Sequence, residues 1–334
     1  MKEKNIRKFI LPAAGLLVLL LLPAVMPNQY YMHIVNTILI TSMVAIGLNI
    51  LTGYCGQISI GHAAFYGIGA YISAYLTTRM GLSYWIAIPV SGIMTAVIGY
   101  CIGAATLKLE GSYLAIASIG VGEITRLIFI NWTEVTGGAE GFKKIPSPEF
   151  FGVVLKTDYQ YYWLVLPIFI VIYIAYKALM ESETGRAFLA VKQEETAAGF
   201  MGINTSRMKV RAFTISTLLA GIAGSLTAGM NNYLAPNTYN STQSVSYLMM
   251  VLAGGMGTIT GPLVGVTILT LAKEMFRAFN EYQMIIYGVL LVVVIIFMPR
   301  GIVGSLSHML NGESSEKSPA GKLIAKIRRT GKHE

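Results

Sequence analysis

The sequence is short of charge, nearly free of cysteine, and lacks the short motifs of hydrolytic or phosphoryl chemistry. Charged residues are 12% of the 334, about half the roughly 25% of soluble domains, which excludes a soluble globular fold. Cys55 and Cys101 sit in apolar surroundings, with neither disulfide nor metal-ligand spacing between them, so packing is their expected role. No G-x-x-x-x-G-K-[ST] phosphate loop, H-E-x-x-H helix or G-x-S-x-G elbow occurs. Carboxylates within the apolar stretches are too scattered for a hydrolytic pair. The chain is therefore expected not to be an enzyme. It is expected to bind no cofactor of its own, and any ATP driving it would be hydrolysed by another polypeptide.

What the sequence does contain is apolar length. Hydrophobic residues make up 54%, arranged in runs long enough to cross a bilayer, which takes about 20 residues per helix. The net charge of +9 is clustered: seventeen of the 25 Lys and Arg lie in 2–8, 177–211 and 300–332. Such clusters mark cytoplasmic sides. Without interleaved aromatics they do not read as a nucleic-acid surface, and the tail 305–334 reads as a disordered or membrane-surface basic arm. The expected spans are 9–26, 33–51, 63–78, 84–107, 112–131, 161–176 and 212–232. A broken segment over 246–276 and a last span at 283–298 follow. The first run is expected to be retained rather than cleaved, because no small-x-small site follows it. Gly257, Gly261 and Gly265 are spaced by four, but Pro262 forbids one uninterrupted helix, so two segments turning near Gly257 are expected. The fold class is thus an all-α polytopic membrane protein of about ten transmembrane segments, broken or half helices included, with both termini cytoplasmic. The loop 132–162 carries no positive excess and belongs outside.

One polar stretch between two apolar runs, 181–211, stands apart. It predicts a helix from Arg186 to Met201, with Ser182 or Thr184 as caps and Gly199 and Gly202 as stops. Phe188, Val191, Ala198 and Met201 form one side; Lys192, Gln193 and Glu194 form the other, and Glu195 interrupts the apolar stripe. A helix with a greasy stripe in water needs a partner groove, so a separate soluble protein is expected to grip the chain here. The competing reading is a solvated loop resting on the bilayer surface.

Polar residues at membrane depth are costly unless paired or facing a wet path. Asn49, Gln57, Ser59 and His62 lie in a glycine-rich region that predicts a broken or kinked helix near 53–61. His62 fits either a proton relay or a water-facing helix cap, and no second ligand lies near enough for a metal. Glu123 and Arg126 are three apart on one helical face, fitting either a functional intramembrane charge or a structural ion pair. A secondary transporter would couple through those two charges and would need no cytoplasmic handle.

The runs TGYCGQISIGHAAFYGIGAYISA (52–74), EGSYLAIASIGVGEITR (110–126), GRAFLAVKQEETAAGFMGINTSRMKVRAFTIS (185–216) and FMPRGIVG (297–304) resemble the branched-chain amino-acid ABC transporter permease family, of the LivM type. The resemblance covers nearly all of 35–304. It implies a multi-pass permease of a bacterial inner membrane, working with a second homologous permease subunit, two cytoplasmic ATPase subunits that use Mg-ATP, and a periplasmic amino-acid-binding protein. The cytoplasmic loop is similar to the importer signature Glu-Ala-Ala, three residues, Gly. Ala197, Ala198 and Gly202 keep that spacing; Glu195 is displaced by Thr196, and the later Ile-x-Leu-Pro is absent. The resemblance implies Arg186, Glu194, Glu195, Ala197, Ala198, Gly202 and Ile203 as ATPase-coupling residues. Asn49, Gln57, Ser59, His62, Glu123, Arg126 and Gly257 are the expected lining of the translocation path. The implied solute is a branched-chain amino acid; urea and short amides are the alternative. The division expected is a permease domain over 1–304 with a separate tail.

Overall fold

Helix packing in lipid gains little from the hydrophobic effect, so backbones must approach closely, and small residues are what permits it. The computed structural model describes residues 28–106, 112–150, 153–276 and 301–304, with positions 20, 22, 23, 26, 288 and 289. The expected spans 9–26 and 283–298 lie almost wholly outside the described residues, as do Lys108, Glu110, Gly111 and the tail. The helices are α1 (Gln29–Leu48), α2 (His62–Thr78), α3 (Tyr84–Thr106), α4 (Ser112–Asn131), α5 (Asp158–Glu181), α6 (Glu183–Gln193), α7 (Glu195–Phe200), α8 (Thr205–Asn231), α9 (Ser241–Gly254) and α10 (Gly261–Met275). Short β1 (Phe142–Lys143) pairs antiparallel with β4 (Tyr233–Leu234), and β2 (Glu149–Phe150) with β3 (Val153–Val154). Among the described residues, five helices are long and apolar enough to cross a membrane: Gln29–Tyr54, Tyr84–Ala105, Tyr113–Asn131, Asp158–Glu181 and Thr205–Asn231. Beyond the two small ladders, the regular structure of the described residues is helical.

Helix α8 is the axis of the bundle. The sequence's small-residue ridge, Ala220, Gly224 and Ala228, is buried. A Cβ on Gly224 would collide with the Tyr66 carbonyl of α2, and one on Gly69 with the backbone of Gly221. On another side, a Cβ on Gly221 would stand 2.7 Å from the Thr95 side chain of α3, and one on Gly47 would stand 2.8 Å from the Ser216 carbonyl. Polar side chains then add interhelical bonds: Ser225 Oγ donates to Ser73 Oγ at 2.7 Å, and Tyr84 and Tyr161 hydroxyls donate to the Ser225 and Leu226 carbonyls.

Helix starts follow their caps. Thr157 and Gln160 form a capping box at α5, and Asn204 and Asn240 accept from Arg207 N and Gln243 N to open α8 and α9. The loops expected outside gather at one end. There β1 meets β4, His33 Nδ1 lies 3.0 Å from Asp158, and Tyr30 donates to Glu274. At that end the Lys143 ammonium donates to Glu140, holding this carboxyl below its ordinary range. The basic loop lies at the opposite end, beside Gly53 and Gly257.

Gly224→Leu should lower stability by about 3 kcal/mol or more, since backbone cannot yield to the new side chain. Gly120→Ala, whose Cβ would meet nothing, should stay within about 0.5 kcal/mol of the parent. Thermal unfolding of the purified chain in one detergent compares the two.

Candidate functional site: the helix breaks and the polar elbow

Three interruptions of regular helix define the functional geometry. The first follows α1, which widens into a π-helical turn over Asn49–Tyr54, after which residues 55–61 are not helical. The second separates α6 from α7 at Glu194. The third is the turn 255–260 between α9 and α10.

The first break packs against the bundle. His62, the first residue of α2, bonds through Nε2 to Ser216 Oγ of α8 at 2.8 Å. Irregular backbone in a membrane bundle survives only where protein or water satisfies it. Protein does so here: Ile60 N donates to Ser118 Oγ of α4, and Ala63 N to Ser244 Oγ of α9, both at 2.9 Å. His62 is fully buried, which corrects the water-facing cap reading; burial behind α8 removes it from solvent. Its Nδ1 and the Ser59 Oγ have no hydrogen-bond partner among the described residues. Gln57 is half-buried and Ile58 exposed. Ser118 and Ser244 escaped the sequence reading. They lie 58 and 181 positions from the amides they satisfy, and no local pattern links groups so far apart.

The first and third breaks meet. Asn49 is fully buried and uses every polar atom: Oδ1 accepts from Gly257 N at 2.9 Å, and Nδ2 donates to Tyr176 OH at 2.8 Å and to the Thr258 carbonyl at 2.9 Å. Gly257 has φ +76°, favourable for glycine, and opens the turn that Pro262 anticipated. Asn49 and Gly257 therefore join two helix breaks to each other; neither Asn49 polar atom is left over for a solute. Gly301, at φ +74°, lies against Gly255, so a Cβ there would fall 2.9 Å from the Gly254 carbonyl carbon.

The polar 181–211 stretch is an elbow, not the single helix expected over 186–201. Glu194 adopts extended geometry (φ −158°, ψ 108°), ending α6 and starting α7. The physical reason is Glu195. As the first residue of α7 it lies where helix-end partial charge favours a carboxylate, and it pairs there with the buried Lys209 ammonium of α8. The stripe also differs from expectation: Phe188, Val191 and Ala198 are buried within the chain, so they need no foreign groove. Lys192 stays on the exposed side with Gln193 and Glu194, as expected, but its ammonium bends back to donate to the Gly53 carbonyl at 2.6 Å. Ser182 sits at the α6 cap position without a side-chain cap bond. Gly202 does stop the helix: at φ +83° it lets Ile203 N reach the Ala198 carbonyl, closing the last turn. What remains outside is Ala197 with the tip, Phe200 at 88% and Met201 at 83% exposure. Arg186 and Glu194 are exposed on the flanks, and Ile203 is half-buried.

Glu123 and Arg126 do pair, with Arg126 Nε 3.0 Å from Glu123 Oε1, and Arg126 Nη1 donates to Asn237 Oδ1 at 3.1 Å. Their side chains are 45% and 24% exposed midway along α4, whose outer face also carries Tyr113, Ile116 and Ile124. The structure thus divides the sequence's candidate path residues. Asn49 and Gly257 belong to the joined breaks, Ser59 and His62 to the buried floor beside them, and Gln57, Glu123 and Arg126 keep exposed surface.

Asn49→Ala should cost about 1–3 kcal/mol for the orphaned Gly257 amide alone. Glu195→Ala strands the Lys209 charge, which for a buried pair costs about 3–5 kcal/mol and less here because Glu195 is half-exposed. The double variant Glu195→Ala/Lys209→Met should be more stable than Glu195→Ala. Melting temperatures of the purified variants check both.

Comparison with known proteins agrees with this architecture. Residues 30–295 match the family model described as the branched-chain amino acid transport system permease component. A high-affinity branched-chain amino acid transport system permease protein, LivM of Escherichia coli, is 33% identical over 89% of this chain and 78% of the relative. LivM of Salmonella typhimurium is 31% identical over 92% and 81%. LivH of the same species, also named a high-affinity branched-chain amino acid transport system permease protein, is 28% identical over 79% and 91%. No solved structure matches. With that coverage, apolar helices of spanning length and a family match across the whole described bundle, the chain belongs to the branched-chain amino acid transport system permease family and is a multi-pass membrane transport subunit.

Proposed function

We propose that this chain is the translocating subunit of an ATP-driven importer that carries branched-chain amino acids into the cytoplasm by alternating access. The transport systems named for its LivM and LivH relatives support the solute class. The observation that carries the coupling part is the elbow. Its buried side is fixed by Phe188, Val191, Ala198 and the Glu195–Lys209 pair, so that a small apolar tip, Phe200 and Met201, projects from a rigid base. A projecting apolar pair on an anchored helix fits a groove on a soluble motor subunit. Ala197 and Gly202 flank that tip; Arg186, Glu194 and Ile203 border it.

In this reading about ten segments cross a bacterial inner membrane, with both termini and the 181–211 loop on the cytoplasmic side. The permease domain runs over 1–304 and the basic tail follows it. Two cytoplasmic ATPase subunits hold Mg-ATP, and this chain holds no cofactor. A periplasmic amino-acid-binding protein delivers the solute, and no nucleic acid takes part. The outer face of α4 meets a second, homologous permease. A charged group facing acyl chains at mid-bilayer costs about 2.5–3.5 kcal/mol, so the half-exposed Glu123 and its Arg126 partner are better accommodated against a protein neighbour or a wet path. Gln57 borders the same path, with Ser59 and His62 behind it. Closure of the ATPases moves the elbow, and the helix breaks reopen the path on the other side.

Met201→Glu should abolish co-purification of the ATPase subunits from a strain expressing the whole operon-encoded set, while the chain still folds and reaches the membrane. Retained ATPase with unchanged ATP-dependent amino-acid uptake would sink the coupling reading.

A further inference from the structure

The elbow touches the membrane helices through one side chain that reaches both joined breaks. Lys192 is near the end of α6. Its stem lies on Gly56, where an added Cβ would stand 3.1 Å from Lys192 Cγ and 3.4 Å from its Cα and Cβ. The glycine there, at φ +76°, lets α6 sit directly on the non-helical segment. The ammonium donates to the Gly53 carbonyl at 2.6 Å, a carbonyl at the end of the π-helical turn. The same ammonium would lie 3.5 Å from a Cβ on Gly257, in the second break. Asn49 already binds those two breaks together through the Gly257 amide. A cation at a helix C-terminus answers both an orphaned carbonyl and the negative end of the helix dipole.

We propose that Lys192 is the positioning residue that transmits movement of the cytoplasmic elbow to the two joined helix breaks. This rests on the coupling reading above for its consequence, though not for the contact itself. The elbow is also tied to α8 by the Glu195–Lys209 pair, and Phe188 and Val191 are buried within the chain. Among the described residues of the elbow, Lys192 is the one whose side chain donates a hydrogen bond to backbone at a break. A two-position element needs a grip where the chain can hinge, and the breaks are where regular helix does not resist movement. The ammonium therefore pulls on the Gly53 and Gly257 region as α6 moves.

The test uses the complete transporter reconstituted in proteoliposomes, with the parent, Lys192→Met and Lys192→Arg. Lys192→Met keeps the packing stem and removes the charged donor. ATP hydrolysis should persist within about twofold, while uptake of a branched-chain amino acid falls roughly tenfold or more, an uncoupling. Lys192→Arg, which still donates, should recover most of the uptake. Hydrogen exchange of the isolated chain provides the second reading: amides in 255–260 should exchange faster in Lys192→Met and not in Lys192→Arg. Uptake unchanged by Lys192→Met overturns the proposal. So does a parallel loss of hydrolysis and uptake, which would make Lys192 a docking residue, and so does unchanged exchange at 255–260. Absence of ATP-driven uptake by the parent complex would instead contradict the functional reading, with the exchange result still deciding whether Lys192 grips the break.

Discussion

A helix that stops inside a bilayer leaves carbonyls and amides with no water to turn to, and the protein must supply every replacement partner. That constraint organises the described structure. The break after α1 draws on Ser118 from α4, Ser244 from α9 and Lys192 from α6. The turn after α9 draws on Asn49 and is closed by Gly301 from beyond the last expected span. Each break thus pulls distant parts of the chain to itself. The irregular backbone becomes the point where the bundle, the turn between α9 and α10 and the elbow converge.

The same constraint separates support from working surface. Small residues on α8 bring α2 and α3 close enough to form a rigid scaffold, and the tyrosine hydroxyls that donate to α8 carbonyls add to it. Against that scaffold the α4 face stays open, with Glu123 and Arg126 paired to each other and to Asn237. The apolar tip at Phe200 and Met201 also stays open, at the opposite end from the β1–β4 loops. In the proposed reading the scaffold is the fixed frame, the apolar tip the surface for a motor and the α4 face the surface for the solute path.

Local rules were readable in the sequence wherever a residue acts on its own neighbours. Pro262 and the glycines before it announced the turn at 255–260, Gly202 announced the end of α7, and the glycine-rich 53–61 announced the first break. The ridge Ala220, Gly224, Ala228 announced the tight face of α8. Rules failed where a distant partner decided the outcome. The periodicity from Arg186 to Met201 is that of one helix, yet Glu195 finds Lys209 and the chain turns at Glu194. Lys192 is exposed as its position suggested, but its bond to the Gly53 carbonyl was not readable, because that acceptor is a backbone group 139 residues away. Phe200, which dominates the tip, lay outside the apolar stripe that periodicity selects, while Met201, inside that stripe, is exposed as well.

The central claim is that the elbow and the joined breaks form one mechanical unit. Spin labels on α7 and on the 255–260 turn, measured by double electron–electron resonance in the assembled transporter at rest and with ATP trapped, test it most directly. The account predicts one distance that stays the same in both states while the distance from either label to the β1–β4 end changes. A separation between elbow and turn that shifts between the two states by several ångströms would contradict it.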